Sequence, residues 1–231
     1  MKKIPNGVTN FREMMHDYYF VDKTRFIAKL IDRGDKVTLC TRPRRFGKTL
    51  ILSMLMYFFS IENADKNRLL FKDLEIAHMD QTYMNQQGTF PVIFISFKEI
   101  YCTDFNAFIK GISSKLSTVY KQFRYILDSD RMLEIDKEDF FEIYMKKAPP
   151  ESLCYALQKL TEFLHQYYDK EVVVLVDEYD YPVIQAWQNG FYDECIDFMK
   201  ILLGSCLKDN DFLNFAVMTG ITRKIKKIII F

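Results

Sequence analysis

The 231-residue chain carries 32 basic against 31 acidic side chains, a net charge of +1, so charge alone gives no argument for a nucleic-acid or membrane-surface partner. Hydrophobic residues make up 49% and charged residues 27%, which suits a globular domain with a sizeable core and excludes a disordered chain. With only 8 Gly and 6 Pro, no low-complexity tract or flexible linker divides it.

In chain order, Asp22 reads as the N-cap of a helix whose apolar face is Phe26, Ile27, Leu30 and Ile31 and which Gly34 ends. Val37 to Cys40 is a short apolar run that predicts a buried strand. A loop at 41–48 follows. Leu50 to Phe59 is hydrophobic nearly all round, the pattern of a helix buried against a sheet. Phe90 to Phe97, bounded by Gly88 and Lys98, is β-branched and aromatic and predicts a second strand.

Apolar residues from Phe105 to Phe123 recur at helical spacing and predict a long amphipathic helix. The polar segment 128–147 reads as a surface excursion, and Pro149-Pro150 can open the next helix at its first turn. Glu171 to Val176 (EVVVLV) is the most strand-like run, and its unalternating apolar residues suit a strand covered on both faces. Helices are expected through about Lys208, then a fourth strand from Phe212 to Met218. Strands separated by helices predict a parallel α/β sheet.

The five cysteines are odd in number and contain no CxxC pair, which fits reduced thiols better than a disulfide framework or a zinc site. The longest apolar run, Leu50 to Ile61, is shorter than the ~20 residues a bilayer span needs. No apolar stretch follows Met1-Lys2-Lys3-Ile4-Pro5, so a cytoplasmic location is the expectation. The basic cluster at Arg223, Lys224, Lys226 and Lys227 reads as a solvated tail.

Two segments carry the chemistry. The first is Arg42-Pro43-Arg44-Arg45-Phe46-Gly47-Lys48-Thr49, between an expected strand and an expected helix. It ends in the Gly-Lys-Thr of a phosphate-binding loop but has Arg42 where the usual pattern has its first glycine. Free N–H groups and the dipole at a helix start attract phosphate. Gly47 would let the backbone approach the phosphates, Lys48 would meet the β- and γ-phosphates, and the Thr49 hydroxyl would bind Mg²⁺.

The second segment is the end of the third strand, Asp177-Glu178, two carboxylates at the sheet edge where α/β folds hold ligands. There Asp177 would hold Mg²⁺ and Glu178 would serve as general base for water. Thr219, at the end of the fourth strand, is a candidate for hydrogen bonding to that water or to the γ-phosphate. Arg223 is a candidate for stabilising transition-state charge, in cis or from a neighbouring subunit.

With Tyr19-Phe20-Val21-Asp22-Lys23-Thr24 and Val176-Asp177-Glu178-Tyr179-Asp180 added to the arginine-rich loop and to Met218-Thr219-Gly220-Ile221-Thr222-Arg223, the chain resembles the predicted AAA-ATPase-like family of bacteria, from about residue 5 to 224. The resemblance implies a P-loop NTPase, a three-layer αβα sandwich with a mostly parallel sheet and an added strand between the loop strand and the acidic strand. It implies ATP and Mg²⁺ as ligands, makes Arg42 a family trait, and supports the roles of Lys48, Thr49, Asp177 and Glu178. Arg44, Arg45, Asp180, Thr219 and Arg223 carry over less firmly.

Such proteins usually continue into a nuclease-like domain of the PD-(D/E)XK type, whose pattern is not found in this sequence. The segment Lys224 to Phe231 also departs from the family. The expectation is therefore an ATPase domain at 1–223 and a divergent tail at 224–231, with the sheet truncated at its C-terminal strand unless Ile228 to Phe231 supplies a short one. A homo-oligomer or a nuclease-like domain is the partner this suggests. Three functions stay open at this point: an ATPase with Glu178 as base, a nucleotide-binding switch with little turnover, and an inactive fragment of a longer ATPase-nuclease protein.

Overall fold

The computed structural model describes residues 2–221. Val37–Thr41 (β1), Val92–Ser96 (β2), Val172–Asp177 (β3) and Leu213–Gly220 (β4) form one wholly parallel sheet in the order β1–β4–β3–β2. Among the described residues the last strand in sequence, β4, therefore lies between the loop strand and the acidic strand, as the family resemblance implies. Its register sets Cys40 beside Thr219 and Thr41 beside Gly220, while Ser96 of β2 faces Asp177.

Helices Phe11–Asp17 (α1), Arg25–Arg33 (α2), Lys48–Phe59 (α3), Ala64–Arg68 (α4) and Gln81–Met84 (α5) precede β2. Phe105–Gln122 (α6), Glu134–Tyr144 (α7), Pro150–Leu153 (α8) and Ala156–Tyr168 (α9) precede β3, and Tyr181–Asn189 (α10) and Tyr192–Leu207 (α11) precede β4. They cover both faces of the sheet. Successive side chains of a strand point to opposite faces, and β3 divides accordingly. Val172, Val174 and Val176 enter a core built with α6, α7, α9, α10 and α11. Val173 and Leu175 enter a second core with Phe11 of α1, Ile27 of α2 and Leu52, Leu55 and Phe58 of α3. All six β3 residues are buried, which is why that strand reads as a continuous apolar run.

Several expectations hold. The four strands lie where the apolar runs place them, α3 exposes no residue fully, and Pro150 occupies the first turn of α8. Gly34 ends α2 in the left-handed region at φ +60°, its N–H returning to Leu30 O at 3.2 Å.

Others need correction. The N-cap of α2 is Thr24, not Asp22. The Asp22 carboxylate instead accepts from the Thr24 N–H and hydroxyl and, across 53 residues, from the Glu75 N–H at 2.7 Å. The segment 128–147 is not a bare surface excursion: it contains α7, which buries Phe140 and Ile143 one turn apart and keeps its charges outside. The short helix α1 carries no extended apolar period. It is capped by Asn10, whose side chain accepts from Glu13 N–H, and anchored by Phe11 against Phe71 and Phe20 at 5.1 and 5.3 Å between ring centres. The proposed short strand at Ile228 to Phe231 lies outside the described residues.

Candidate functional site

The loop between β1 and α3 reaches the helix through two left-handed residues, Arg45 at φ +67° and Gly47 at φ +71°. Gly47 is the N-cap of α3, so the free N–H groups of the first helical turn open toward the C-terminal ends of the strands. A glycine meets that φ without the strain a side chain would bring. Arg42, Pro43, Arg44, Arg45 and Phe46 are exposed. Lys48 is not: it is 7% exposed, and its Nζ donates to the carbonyls of Arg42 and Pro43, each at 3.0 Å. The lysine thus folds back along the loop that precedes it.

Next to it on α3, the Thr49 hydroxyl donates to Asp177 Oδ2 at 2.8 Å. The second carboxylate oxygen, Oδ1, accepts from the Thr219 hydroxyl at 2.5 Å. Asp177 and Thr219 are both fully buried. One carboxylate therefore ties together the start of α3, the end of β3 and the end of β4. The Thr219 hydroxyl, which the sequence offers to a water or phosphate, gives its hydrogen to Asp177 and keeps its lone pairs as acceptors.

Glu178 follows in the left-handed region at φ +51° and is half-buried. Partial burial pushes its carboxyl above the usual glutamate range and the neighbouring Asp177 adds to the shift, while Lys48, Lys98 and Arg44 pull the other way. Beyond it the Tyr179 N–H returns to Thr219 O at 3.1 Å, and the buried Asp180 accepts from Ile221 N–H at 2.7 Å. The segment after β3 is thereby laced to the segment after β4. Gly220 leaves no room for a side chain there: a Cβ would sit 2.5 Å from Tyr179 Cε1 and 2.8 Å from Asp180 Oδ1.

The chain matches the AAA-ATPase-like family, described as "Predicted AAA-ATPase", over residues 5–231. The chain belongs to the AAA-ATPase-like family. A protein of Azotobacter chroococcum mcd 1 described as an uncharacterized protein in the vnfD 5′ region is 31% identical over 234 residues. The match covers 100% of this chain and 39% of that protein, so the chain spans about two fifths of this relative's length. No solved structure matches the chain significantly.

This AAA-ATPase-like domain brings together five residues that the sequence singled out: Lys48, Thr49, Asp177, Glu178 and Thr219. Arg223 lies outside the described residues. The Thr49 hydroxyl and the Asp177 carboxylate are adjacent oxygen donors, the hard ligands that Mg²⁺ takes alongside water and phosphate oxygens, so the residues present fit that ion. Sequence reasoning assigned no role to Lys23, whose ammonium approaches Gly47, and it named Asp180 without its bond to Ile221 N–H. Both lie within the segments that carry the resemblance, but their reach is set by tertiary packing. Among the described residues no helix is long and apolar enough to cross a membrane.

Proposed function

We propose that the domain binds MgATP at the loop of residues 42–49 and hydrolyses it to ADP and phosphate, with Glu178 as general base. The observation that carries this reading is the hydrogen-bond chain Thr49–Asp177–Thr219, which fastens an anion-binding helix start to a buried carboxylate at the end of the central strands. A structural turn opening a helix has no need of such a partner. The family description supports the same chemistry.

The helix-start N–H groups and Lys48 bind the phosphates, Lys48 exchanging its two loop carbonyls for phosphate oxygens. Thr49 and Asp177 would hold Mg²⁺, which would supply neutralisation of the charge developing on the phosphate oxygens. Glu178 accepts a proton from the attacking water as its oxygen bonds to the γ-phosphorus and the bond to the ADP oxygen breaks. A carboxyl held above the usual glutamate range is a stronger base than an ordinary one. Thr219 keeps Asp177 oriented, and Arg223 is assigned to transition-state charge, from this chain or a neighbouring copy.

Titration calorimetry with ATP, run beside a phosphate-release assay, tests the reading. Lys48→Ala should abolish binding. Glu178→Gln should leave binding in place and cut turnover by about 10²-fold or more. Hydrolysis at the wild-type rate in purified Glu178→Gln would remove Glu178 as the base. Binding without release in the wild-type protein would favour a nucleotide switch.

A further inference from the structure

Lys23 stands one residue before the buried Thr24, in a segment that is pinned from both sides. Asp22 accepts from the Thr24 N–H, the Thr24 hydroxyl and the Glu75 N–H, at 2.7–2.8 Å. The Thr24 oxygen in turn accepts from Ile76 N–H at 3.1 Å. Lys23 itself is solvent-exposed, and its Nζ lies 3.8 Å from the point where a Cβ on Gly47 would sit. Among the described residues this ammonium has no hydrogen-bond or ion-pair partner. A rigid backbone thus carries an uncommitted cation to the N-cap of α3. Lys48, by contrast, already gives two of its three N–H donors to the loop carbonyls.

We propose that Lys23 is a second phosphate-contacting cation of this site, serving the α- and β-phosphates of the bound nucleotide. This rests on the nucleotide reading above and deepens it. In a phosphate loop the backbone N–H groups cradle the α- and β-phosphates while the loop lysine reaches the β and γ. An ammonium beside Gly47 therefore faces the part of the ligand that ATP and ADP share. A lysine is suited to this as a point charge that meets phosphate without demanding bidentate geometry. Exposed loop cations such as Arg44 differ from Lys23 in that no fastened backbone aims them at the helix start.

The test is calorimetric binding of ATP and ADP to the full chain in the presence of Mg²⁺, comparing wild type, Lys23→Ala and Lys23→Arg. Lys23→Ala is expected to weaken ATP and ADP by the same factor, about five- to twentyfold for a charge-assisted contact at an exposed position. Lys23→Arg, which keeps the charge, should recover most of the loss. The hydrolysis defect of Lys23→Ala should fall on KM, and its melting temperature without nucleotide should match wild type because the side chain is solvated. Wild-type affinity for both nucleotides in Lys23→Ala would overturn the proposal and leave Lys23 a solvated lysine. A loss confined to ATP would overturn the placement at the α- and β-phosphates. Failure of the wild-type protein itself to bind ATP would instead overturn the nucleotide reading, and this inference with it.

Discussion

Thr49 donates to Asp177 across 128 residues of sequence, at 2.8 Å. The bond joins the first turn of α3 to the end of β3, although β1 and β3 are not neighbours in the sheet. β4 stands between them and supplies Thr219 as the second donor to the same carboxylate. The Asp177 side chain is thus satisfied by hydroxyls from two different elements, which fixes its orientation before any ligand arrives.

Replacing Thr219 by Val keeps the shape of the side chain and removes its donor. Asp177 is fully buried, so losing one of its two side-chain partners should cost about 1–3 kcal/mol. In a domain of this size each kcal/mol is worth about 2–4 °C, so a melting temperature lower by several degrees is expected in calorimetry. Mg²⁺-dependent ATP binding should weaken as well, because the carboxylate loses its alignment. A Thr219→Val protein as stable as wild type would show that the bond contributes nothing.

Glu178 governs two pH dependences. In the proposed mechanism its ionised form is the base, so turnover should fall as pH drops through the raised value, with the acid limb lying above the ordinary glutamate value of 4.5. The stability sign runs the other way. A carboxyl whose folded pKa is raised costs stability when ionised, and that cost disappears below the unfolded value. Glu178→Gln should therefore melt at or above the wild-type temperature near neutral pH, with the difference vanishing at about pH 4. Melting curves at both pH values check this.

Gly220→Ala places a Cβ 2.5 Å from the ring of the fully buried Tyr179 and 2.8 Å from Asp180 Oδ1. Neither neighbour is a free end that can swing aside. Destabilisation of about 1–3 kcal/mol is expected from overpacking, measured by denaturant unfolding. The displaced Asp180 should also release Ile221 N–H, so amide exchange at Ile221 should quicken.

Asp22→Ala removes the acceptor for Thr24 and Glu75 and should cost about 1 kcal/mol, as loss of a capping carboxylate does. Partial burial pushes the Asp22 carboxyl up, but the hydrogen bonds from Glu75 and Thr24 outweigh it and hold the group below the usual range. The stability it brings is present above the ordinary aspartate value and is lost as pH falls through the depressed one. Acid unfolding of Asp22→Ala should lack that contribution.

Much of the fold is legible in the residues themselves. The run at 171–176 lacks alternation because both faces of β3 are buried, and the run at 90–97 reads as a strand because one face of β2 is buried and the other half-buried under apolar side chains. Helix α7 is hard to read because only two side chains, Phe140 and Ile143, are buried, while exposed Ile135 and Phe141 mix with charges on the rest of its surface. Lys48, Thr49, Asp177 and Glu178 could be found because each sits at a strand or helix end that the sequence marks. The bond from Thr219 to Asp177 could not, since it depends on how β4 registers against β3, with Val176 beside Met218. The same holds for Lys23, whose approach to Gly47 is fixed by packing around Glu75 and Ile76.

The position of β4 has a consequence for how the protein is made. A nascent chain that has emerged as far as Glu178 already contains the phosphate loop and both carboxylates, yet the strand that bridges them in the sheet has not been synthesised. Until residues 213–220 arrive, β1 has no partner strand among the described residues and the Val217 layer of the second core is missing. Pairings between strands so distant in sequence are slow to form. The cluster of Lys48, Thr49 and Asp177 is therefore expected to assemble only after β4 has been made, when that strand slots between two elements already synthesised.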